Sequence, residues 1–362
     1  MKYNWQLPDW PHLRYQLPDI QELLFTFAEK TGTVSGLLRG LPENMQQETL
    51  IDFMLDEAIK TSEIEGEYLR RADVVSSLRN QLGLNPSPEK VSDKRAEGIA
   101  ELLIAVRQSF SKPLTQATLF HWHRMLMQGH RHEKLIIGGW RKDPEPMQVV
   151  SGSVGKWKVH FEAPPAKNVP HEMERFIHWF NEADQVGPVR AAITHLYFES
   201  IHPFDDGNGR IGRALAEKAL SQGLGRPILL SFSKTIEAHK KDYYAALEKA
   251  QRSNEITEWI FYFVNTIILA QEDAEKTIEF VFHKAEYFDR YKDQLSERQL
   301  KVIRRMLKEG PSGFEGGMTA RKYASLTKIS KATATRDLQH LEKIGALLAT
   351  GSGRSTRYEI NL

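Results

Sequence analysis

The stretch HPFDDGNGRIGR, residues 202–213, decides how the fold of this chain is interpreted. An apolar helical pattern ends near Ile201, and the following pattern RIGRALAEKALS is typical of a second helix. Gly207 and Gly209 lack Cβ atoms, so the backbone between the two helices can turn tightly and approach a ligand. Backbone N–H groups at the start of the second helix then form an anion-binding site.

The charged side chains of this stretch suit a bound nucleotide phosphate. Arg210 and Arg213 are three residues apart, so they share one helix face and can both contact phosphates. Asp206 would repel such a ligand unless Mg²⁺ bridges the carboxylate and the phosphates. His202 is a natural general base, because an imidazole titrates near neutral pH. The stretch therefore predicts a site for attack on a nucleotide phosphate.

The twelve residues resemble the signature of the Fic family, H-x-F-x-(D/E)-G-N-G-R-x-x-R, at every fixed position. Members of that family typically transfer AMP from ATP to a Ser, Thr or Tyr hydroxyl of a target protein. The resemblance implies that His202 deprotonates the hydroxyl, that Asp206 holds Mg²⁺ on the α- and β-phosphates, and that Arg213 reaches the γ-phosphate. It also implies a phosphate cradle made of Gly207, Asn208, Gly209 and Arg210.

A second segment, MQVVSGSVGKWKVHFEAPP at residues 147–165, predicts a β-hairpin inside a helical region. A lone hairpin buries little, so a surface role is expected. The segment resembles the flap of the Fic family, which holds the target peptide by strand addition; its expected limits are about 145–163. Further on, FSKTIEAHKKDYYAAL resembles the helices that follow the family motif, with Tyr244 or its neighbour Tyr243 beside the adenine.

Upstream, TSEIEGE at residues 61–67 ends a predicted helix over about 46–66. The helix dipole disfavours a carboxylate at this end by about 0.3–1 kcal/mol, so Glu65 is expected either in solvent or beside a cation. With Thr61 and Gly66 it resembles the inhibitory pattern (S/T)-x-x-x-E-(G/N) of many Fic proteins. The resemblance implies that Glu65 pairs with Arg213 and occupies the place of the γ-phosphate.

The patterns along the chain predict a mainly helical fold in three domains. These are an N-terminal helical subdomain at 1–45, a Fic domain at 46–285, and a winged helix-turn-helix domain at 290–362. From Ser296 onward the chain carries 13 Lys and Arg against 6 Asp and Glu, and the rest carries 36 against 41. This basic tail favours DNA as a partner through residues 319–358. Winged helices also mediate protein contacts, and a homodimer is one option.

Composition excludes several classes of protein. The chain has no cysteine, so disulfides, thiolate metal sites and cysteine nucleophiles are ruled out. Its start has no apolar run, and its most apolar stretch, WIFYFVNTIILA, is too short to cross a bilayer. The expectation is a cytoplasmic protein with no membrane contact. His121, His123, His130 and His132 are disfavoured as a zinc site, because helical positions two apart point away from each other.

The sequence thus favours a protein adenylyltransferase that modifies a target protein and itself, uses ATP and Mg²⁺, and is autoinhibited by Glu65. Two alternatives stay open. In the first, the chain is a DNA-binding regulator whose Fic core senses ATP and transfers nothing. In the second, Glu65 positions a water and the enzyme mainly removes AMP from its target. The target protein and the type of residue modified are not indicated by the sequence.

Overall fold

The computed structural model of the chain describes residues 2–130, 135–153 and 156–362. Two compact units form, one from Met1–Ser35 and Leu50–Ala274, the other from Gly36–Thr49 and Glu275–Leu362. The limits predicted for the three domains stay predictions, and His132 lies outside the described residues. No helix among these residues combines the length and the apolarity that a bilayer crossing requires.

The predicted mainly helical fold class is confirmed. The first eleven α-helices in chain order are α1 (Gln21–Gly40), α2 (Glu43–Ile64), α3 (Arg71–Gln81), α4 (Lys94–Gln108), α5 (Gln116–Leu126), α6 (Val169–Glu182), α7 (Gly187–Ile201), α8 (Asn208–Leu224), α9 (Phe232–Ala238), α10 (Lys240–Ala250) and α11 (Thr257–Tyr291). An antiparallel hairpin, β1 (Gln148–Ser153) and β2 (Lys156–Glu162), lies between α5 and α6.

Helix α7 forms the centre of the first unit, because every one of its residues is buried. A helix that is apolar on all sides is stable only when neighbours surround it. Phe176 of α6 packs edge-on against Tyr197 of α7, and Trp259 of α11 donates to the carbonyl of Ala192 at 2.8 Å. Each such aromatic contributes roughly 1.5–3 kcal/mol through burial. Because α7 is held on several sides, the turn at its C-terminal end is held too.

The hairpin packs one strand against the body of the first unit. Two carbonyls on the outer edge of β2 accept hydrogen bonds from that body. The carbonyl of His160 accepts from Arg252 at 2.9 Å, and the carbonyl of Glu162 accepts from Trp5 at 2.7 Å. A bulge separates Val149 from Val150 in β1. Bulges re-aim side chains and increase local twist, and both valines border the cleft described below.

The second unit has its own core. Its elements are α12 (Glu297–Leu307), α13 (Ala320–Thr327), α14 (Lys331–Lys343), β3 (Leu347–Thr350) and β4 (Arg357–Ile360), the strands being antiparallel. Ser296, Thr319 and Ser330 cap the three helices through their hydroxyls, as N-cap residues typically do. The order of three helices and a hairpin agrees with the pattern read from the sequence. That these residues form a winged helix-turn-helix domain that binds DNA stays a prediction.

Candidate active site

Two residues in the link between α7 and α8 have left-handed backbone conformations. His202 ends α7 at φ 50° and ψ 61°, and Pro203 follows, which cannot continue a helix. Gly207 begins α8 at φ 81°, a conformation that L side chains rarely adopt. A non-glycine residue at positive φ is uncommon, and such strained residues cluster at functional sites. The strained residue here is the predicted base.

The amide of Asn208 closes the loop. It donates to the carbonyl of Phe204 at 2.8 Å and accepts from the N–H of Phe204 at 2.9 Å. Phe204 is fully buried, as expected of an anchor. The oxygen and one N–H of the Asn208 amide are thus used within the loop, and its backbone N–H lies at the start of α8.

His123, on α5, supports the same loop through its ring. Its ring stacks on Phe204 with centroids 4.1 Å apart, its Nδ1 accepts from the N–H of Gly138, and its Nε2 donates to the carbonyl of Asp206. Burial lowers the pKa of His123 to about 4. The ring is therefore neutral and structural.

Arg141 braces the turn at the predicted base. Its Nε donates to the carbonyl of His202 at 2.8 Å, and its backbone N–H donates to the carbonyl of Pro203 at 2.9 Å. The side chain is almost completely buried, and burial lowers the pKa of Arg141 to about 10. Sequence analysis did not identify this residue; a charge within the apolar segment GGWRK was the available signal.

Arg213 lies against the end of α2. Its Nε donates to Thr61 Oγ1 at 2.7 Å, and its Nη2 donates to the carbonyl of Thr61 at 2.9 Å and to Glu65 Oε1 at 2.7 Å. The Arg213 side chain is 1% exposed, whereas that of Glu65 is 30% exposed. A Cβ on Gly209 would collide with the Glu65 carboxylate, so a larger residue at this position would require the carboxylate to move.

Arg210 is paired with a second carboxylate, which sequence analysis missed. Its Nη1 lies 2.8 Å from Glu67 Oε2, and its Nη2 lies 3.5 Å from Asp206 Oδ1. Glu67 also bonds His130 Nε2 at 2.8 Å. Burial opposes ionisation of Glu67, but its contacts with His130 and Arg210 outweigh burial and lower its pKa. Glu67 lies two residues after Glu65 in the segment TSEIEGE, and this second acidic residue beside Glu65 was the available signal in the sequence.

The C-terminal end of α2 is fixed from α10. Lys240 and the hydroxyl of Tyr244 both donate to the carbonyl of Ile64. Tyr244 borders the cleft and is 39% exposed, whereas Tyr243 is buried with its hydroxyl 2.7 Å from His195 Nε2. Of the two tyrosines considered for the adenine, Tyr244 is thus the accessible one.

A cleft of about 730 Å³ lies between the C-terminal end of α2, the start of α8, α10 and the hairpin. His202 and Gly209 line it beside Glu65, and the hairpin lines it from the opposite side through residues that include His160. Asp206 is 46% exposed, and its Oδ1 accepts from the N–H of Gly207 at 2.6 Å. Among the described residues, no group of three or more His, Asp and Glu side chains is placed to hold a metal ion. A single exposed carboxylate fits Mg²⁺ that takes its other ligands from phosphates and water.

The comparisons with known proteins agree with this architecture. Residues 113–220 match the Fic/DOC family, and residues 3–84 match a domain of unknown function, DUF4172. A probable protein adenylyltransferase of Aquifex aeolicus is 33% identical over 115 residues, which cover 29% of this chain and 36% of that protein. The protein adenylyltransferase Fic of Nematostella vectensis is 32% identical over 198 residues, 53% of this chain and 42% of that protein. The chain spans less than half the length of these curated relatives.

A solved structure supports the fold. The crystal structure of a Fic family protein from Desulfovibrio desulfuricans G20 matches with a TM-score of 0.57 at 20% identity, covering 96% of this chain and 97% of that one. Fold and site therefore place the chain among helical proteins that carry a Fic domain. Residues 113–220 match the Fic/DOC family and form the Fic domain of this chain.

Proposed function

We propose that this chain is a protein adenylyltransferase, which transfers AMP from ATP to a Ser, Thr or Tyr hydroxyl of a target protein and of itself. One observation carries the proposal: His202 and Gly209, at the start of α8, line a single cleft together with Glu65, the carboxylate that pairs with the Arg213 guanidinium. A base beside an anion cradle is the arrangement that nucleotidyl transfer needs. The relatives named above, called adenylyltransferases, support the same chemistry.

In this proposal His202 accepts the proton of the target hydroxyl while the hydroxyl oxygen attacks the α-phosphorus. The N–H groups at the start of α8, near Gly207 and Gly209, bind the phosphate oxygens, and Arg213 binds the γ-phosphate. Tyr244 lies beside the adenine. Asp206 would hold Mg²⁺, which when bound neutralises charge on the phosphates and the leaving pyrophosphate.

Glu65 is proposed to inhibit this reaction. Two donor nitrogens of Arg213, Nε and Nη2, already bind Thr61 and Glu65. An incoming phosphate must displace the Glu65 carboxylate, which carries the same sign of charge and is the more exposed partner of the pair. ATP binding is therefore weakened until the residues after Ile64 move.

The target is proposed to dock on the hairpin as an added strand. The outer carbonyls of β2 are already bonded to Arg252 and Trp5, which favours β1 as the strand that receives the target backbone. Val150 of β1 and Val159 of β2 are about two-fifths exposed and offer apolar contacts on the hairpin surface.

The test is AMP transfer from α-labelled ATP with Mg²⁺, comparing the unchanged protein with Glu65→Gly and with Glu65→Gly combined with His202→Ala. Self-modification and lysate proteins are the readouts, and α-labelled UTP reports nucleotide choice. Glu65→Gly should raise labelling by about tenfold or more, the ratio that 1.4 kcal/mol of competing contact gives. The double variant should be unlabelled. ATP binding without labelling in any variant would contradict the transferase and leave the ATP-sensing regulator.

The same reagents separate the hydrolytic alternative. Glu65→Gly protein that has been labelled, purified and mixed with unlabelled unchanged protein should retain its AMP if Glu65 only inhibits. Release of AMP that depends on Glu65 would assign the phosphodiesterase activity instead.

DNA binding is a second proposed function, for residues 319–358. It is supported by exposed Lys331 and Arg336 on α14, together with the excess of basic residues from Ser296 onward. Gel shifts on mixed-sequence duplex DNA, at several salt concentrations, should show binding that weakens steeply with salt. Binding that Lys331→Ala with Arg336→Ala leaves intact would contradict this placement.

A further inference from the structure

Glu199 is a buried carboxylate one helical turn before the proposed base. It belongs to α7 and is 6% exposed, and its Oε2 lies 3.5 Å from Nδ1 of His202. Among the described residues, neither His202 Nδ1 nor Glu199 Oε1 has a hydrogen-bond partner, although both atoms are buried. Buried polar atoms are rarely left unpaired. The Glu199 carboxylate and the His202 ring are therefore within reach of each other and each has an unused polar atom.

The surroundings of Glu199 favour its charged form. Burial opposes ionisation, but the contact with His202 and the charges of His195 and Arg213 outweigh burial and lower the pKa of Glu199. A buried carboxylate that stays ionised is costly unless it serves a hydrogen-bonded partner. His195 bonds the Tyr243 hydroxyl through its Nε2, and its Nδ1 has no hydrogen-bond partner among the described residues. The ring of His202 is the neighbour that also lines the cleft.

We propose that Glu199 is a positioning residue for the transfer reaction: its carboxylate accepts the Nδ1–H of His202 and thereby leaves Nε2 unprotonated toward the target hydroxyl. This inference rests on the proposed transferase function. A carboxylate that orients a histidine base fixes the ring, selects one tautomer and stabilises the imidazolium that forms.

The proton and electron movements balance in this arrangement. The target O–H proton moves to His202 Nε2 as the hydroxyl oxygen forms a bond to the α-phosphorus. The bond between the α-phosphorus and the oxygen bridging to the β-phosphorus breaks, and pyrophosphate leaves with that electron pair. The imidazolium, held by Glu199 at Nδ1, then releases the proton to pyrophosphate or water.

Other charged groups share the cleft with His202, and all of them must be constant in a test. The titratable groups that line it with His202 and Glu199 come from the residues after α2, from β2 and from α10: Glu65, His160, Lys240, Lys241, Tyr243, Tyr244 and Glu248. Arg213 of α8 pairs with Glu65. A substitution of Glu199 alone leaves each of them in place. Any change in the pH dependence of transfer then reports on the carboxylate.

The experiment measures transfer from pH 5.5 to 9 in the activated Glu65→Gly background, with and without Glu199→Gln. Loss of the carboxylate charge should lower kcat on the order of a hundredfold, the size of a general-base effect. KM for ATP should stay within about twofold, because the effect lies on the chemical step. The acidic limb of the pH–rate profile should move to lower pH, since the imidazolium loses its stabilising charge.

Glu217→Gln is the matched control. Glu217 is a glutamate of α8 that is also buried, and it lies 3.7 Å from Arg107 and lines a small cavity separate from the cleft. Burial raises the pKa of Glu217 to about 7, so glutamine resembles its protonated form. Its pH–rate profile should match that of the parent. Equal kcat losses with unshifted profiles in both variants would mean general damage to the core and would overturn the proposal.

A second measurement needs no turnover. Nitrogen-15 spectra of the ring of His202, assigned with His202→Ala, should show the Nδ1–H tautomer in the parent and a loss of that preference in Glu199→Gln. An Nε2–H tautomer in the parent would overturn the inference whether or not transfer occurs. If His202→Ala abolishes transfer while Glu199→Gln keeps its rate and profile, the transferase stands and the role of Glu199 falls.

Discussion

Residues 61–67 and residues 202–213 meet at the candidate site, and they supply opposite halves of it. The second segment provides donors, in Arg210, Arg213 and the N-terminus of α8. The first provides acceptors, in Thr61, Glu65 and Glu67. The site without nucleotide is thus internally neutralised, with carboxylates where the anionic phosphates of ATP would bind.

The two segments differ in how they are held. The loop of residues 202–213 is fixed by groups that a nucleotide does not replace: the Asn208 amide, the stacked ring of His123 and the buried guanidinium of Arg141. The Glu65 carboxylate is held mainly by its pairing with Arg213 and remains 30% exposed. This difference indicates that the Glu65 carboxylate moves and the donors stay. Three substitutions can break or sharpen that comparison.

Arg213→Ala should have the largest effect, because it removes the donor common to the inhibited and the proposed ATP-bound states. Transfer should fall by about 10²-fold or more even in the Glu65→Gly background, as expected when a charged donor to the reacting phosphates is lost. The measurement is the initial rate of self-labelling at saturating ATP. Arg305→Ala, which removes a surface arginine paired with Glu309 in the second unit, is the control and should leave the rate unchanged. Full activity without Arg213 would contradict the assignment of the γ-phosphate.

Glu67→Gln should have a smaller effect of the same sign as Glu65→Gly. Glu67 holds residues 65–67 against Arg210, so loss of its charge should raise the affinity for ATP by only a few fold. Isothermal titration of ATP to both variants checks the order. A decrease in affinity would show instead that Glu67 orients Arg210 for the nucleotide.

The pH dependence of stability gives a separate reading of Glu67. Its pKa is lowered from 4.5 in the folded protein, so its stabilising effect is present above that value and is lost as the pH falls through the folded pKa. The difference in Tm between the parent and Glu67→Gln should therefore be constant near pH 7 and should vanish in the acid range below pH 4.5. A Tm difference that persists below pH 4.5 would mean that the charge of the Glu67 carboxylate does not contribute to stability.

The sequence predicts the fold class and the location of the site because both depend on local patterns. The two helices around residues 202–213, the turn at Gly207 and the hairpin follow from spacing and residue type, and the structure has each of them. Gly209, also expected in the turn, lies within α8. The base, the metal ligand and the phosphate cradle stay predictions in their roles. The structure brings those residues to one loop, where the Asn208 side chain also holds the backbone of Phe204.

What the sequence could not give are partners distant along the chain. Arg141, Glu67 with His130, and His123 support residues 202–213 from 61 to 143 positions away in sequence, and none of them stands in a repeating pattern. Their contacts depend on how α2, α5 and the hairpin pack around α7. Periodicity identifies a buried helix face but does not identify which buried charge meets which carbonyl.

Thr61→Val should have the smallest effect on the inhibition by Glu65. Thr61 is held in place, as the loop of residues 202–213 is, whereas the Glu65 carboxylate moves. Thr61 lies inside α2 and is 2% exposed, so it keeps its contact with Arg213 when Glu65 moves. Losing a hydrogen bond to a charged donor should cost about 1.5–3 kcal/mol in unfolding free energy. The activity ratio between Glu65→Gly and its parent should nevertheless stay within about twofold, since both states lose the same contact. Thr61→Ser, which keeps the hydroxyl, should restore the stability. A ratio that collapses in Thr61→Val but not in Thr61→Ser would show that the moving part of the segment begins inside α2.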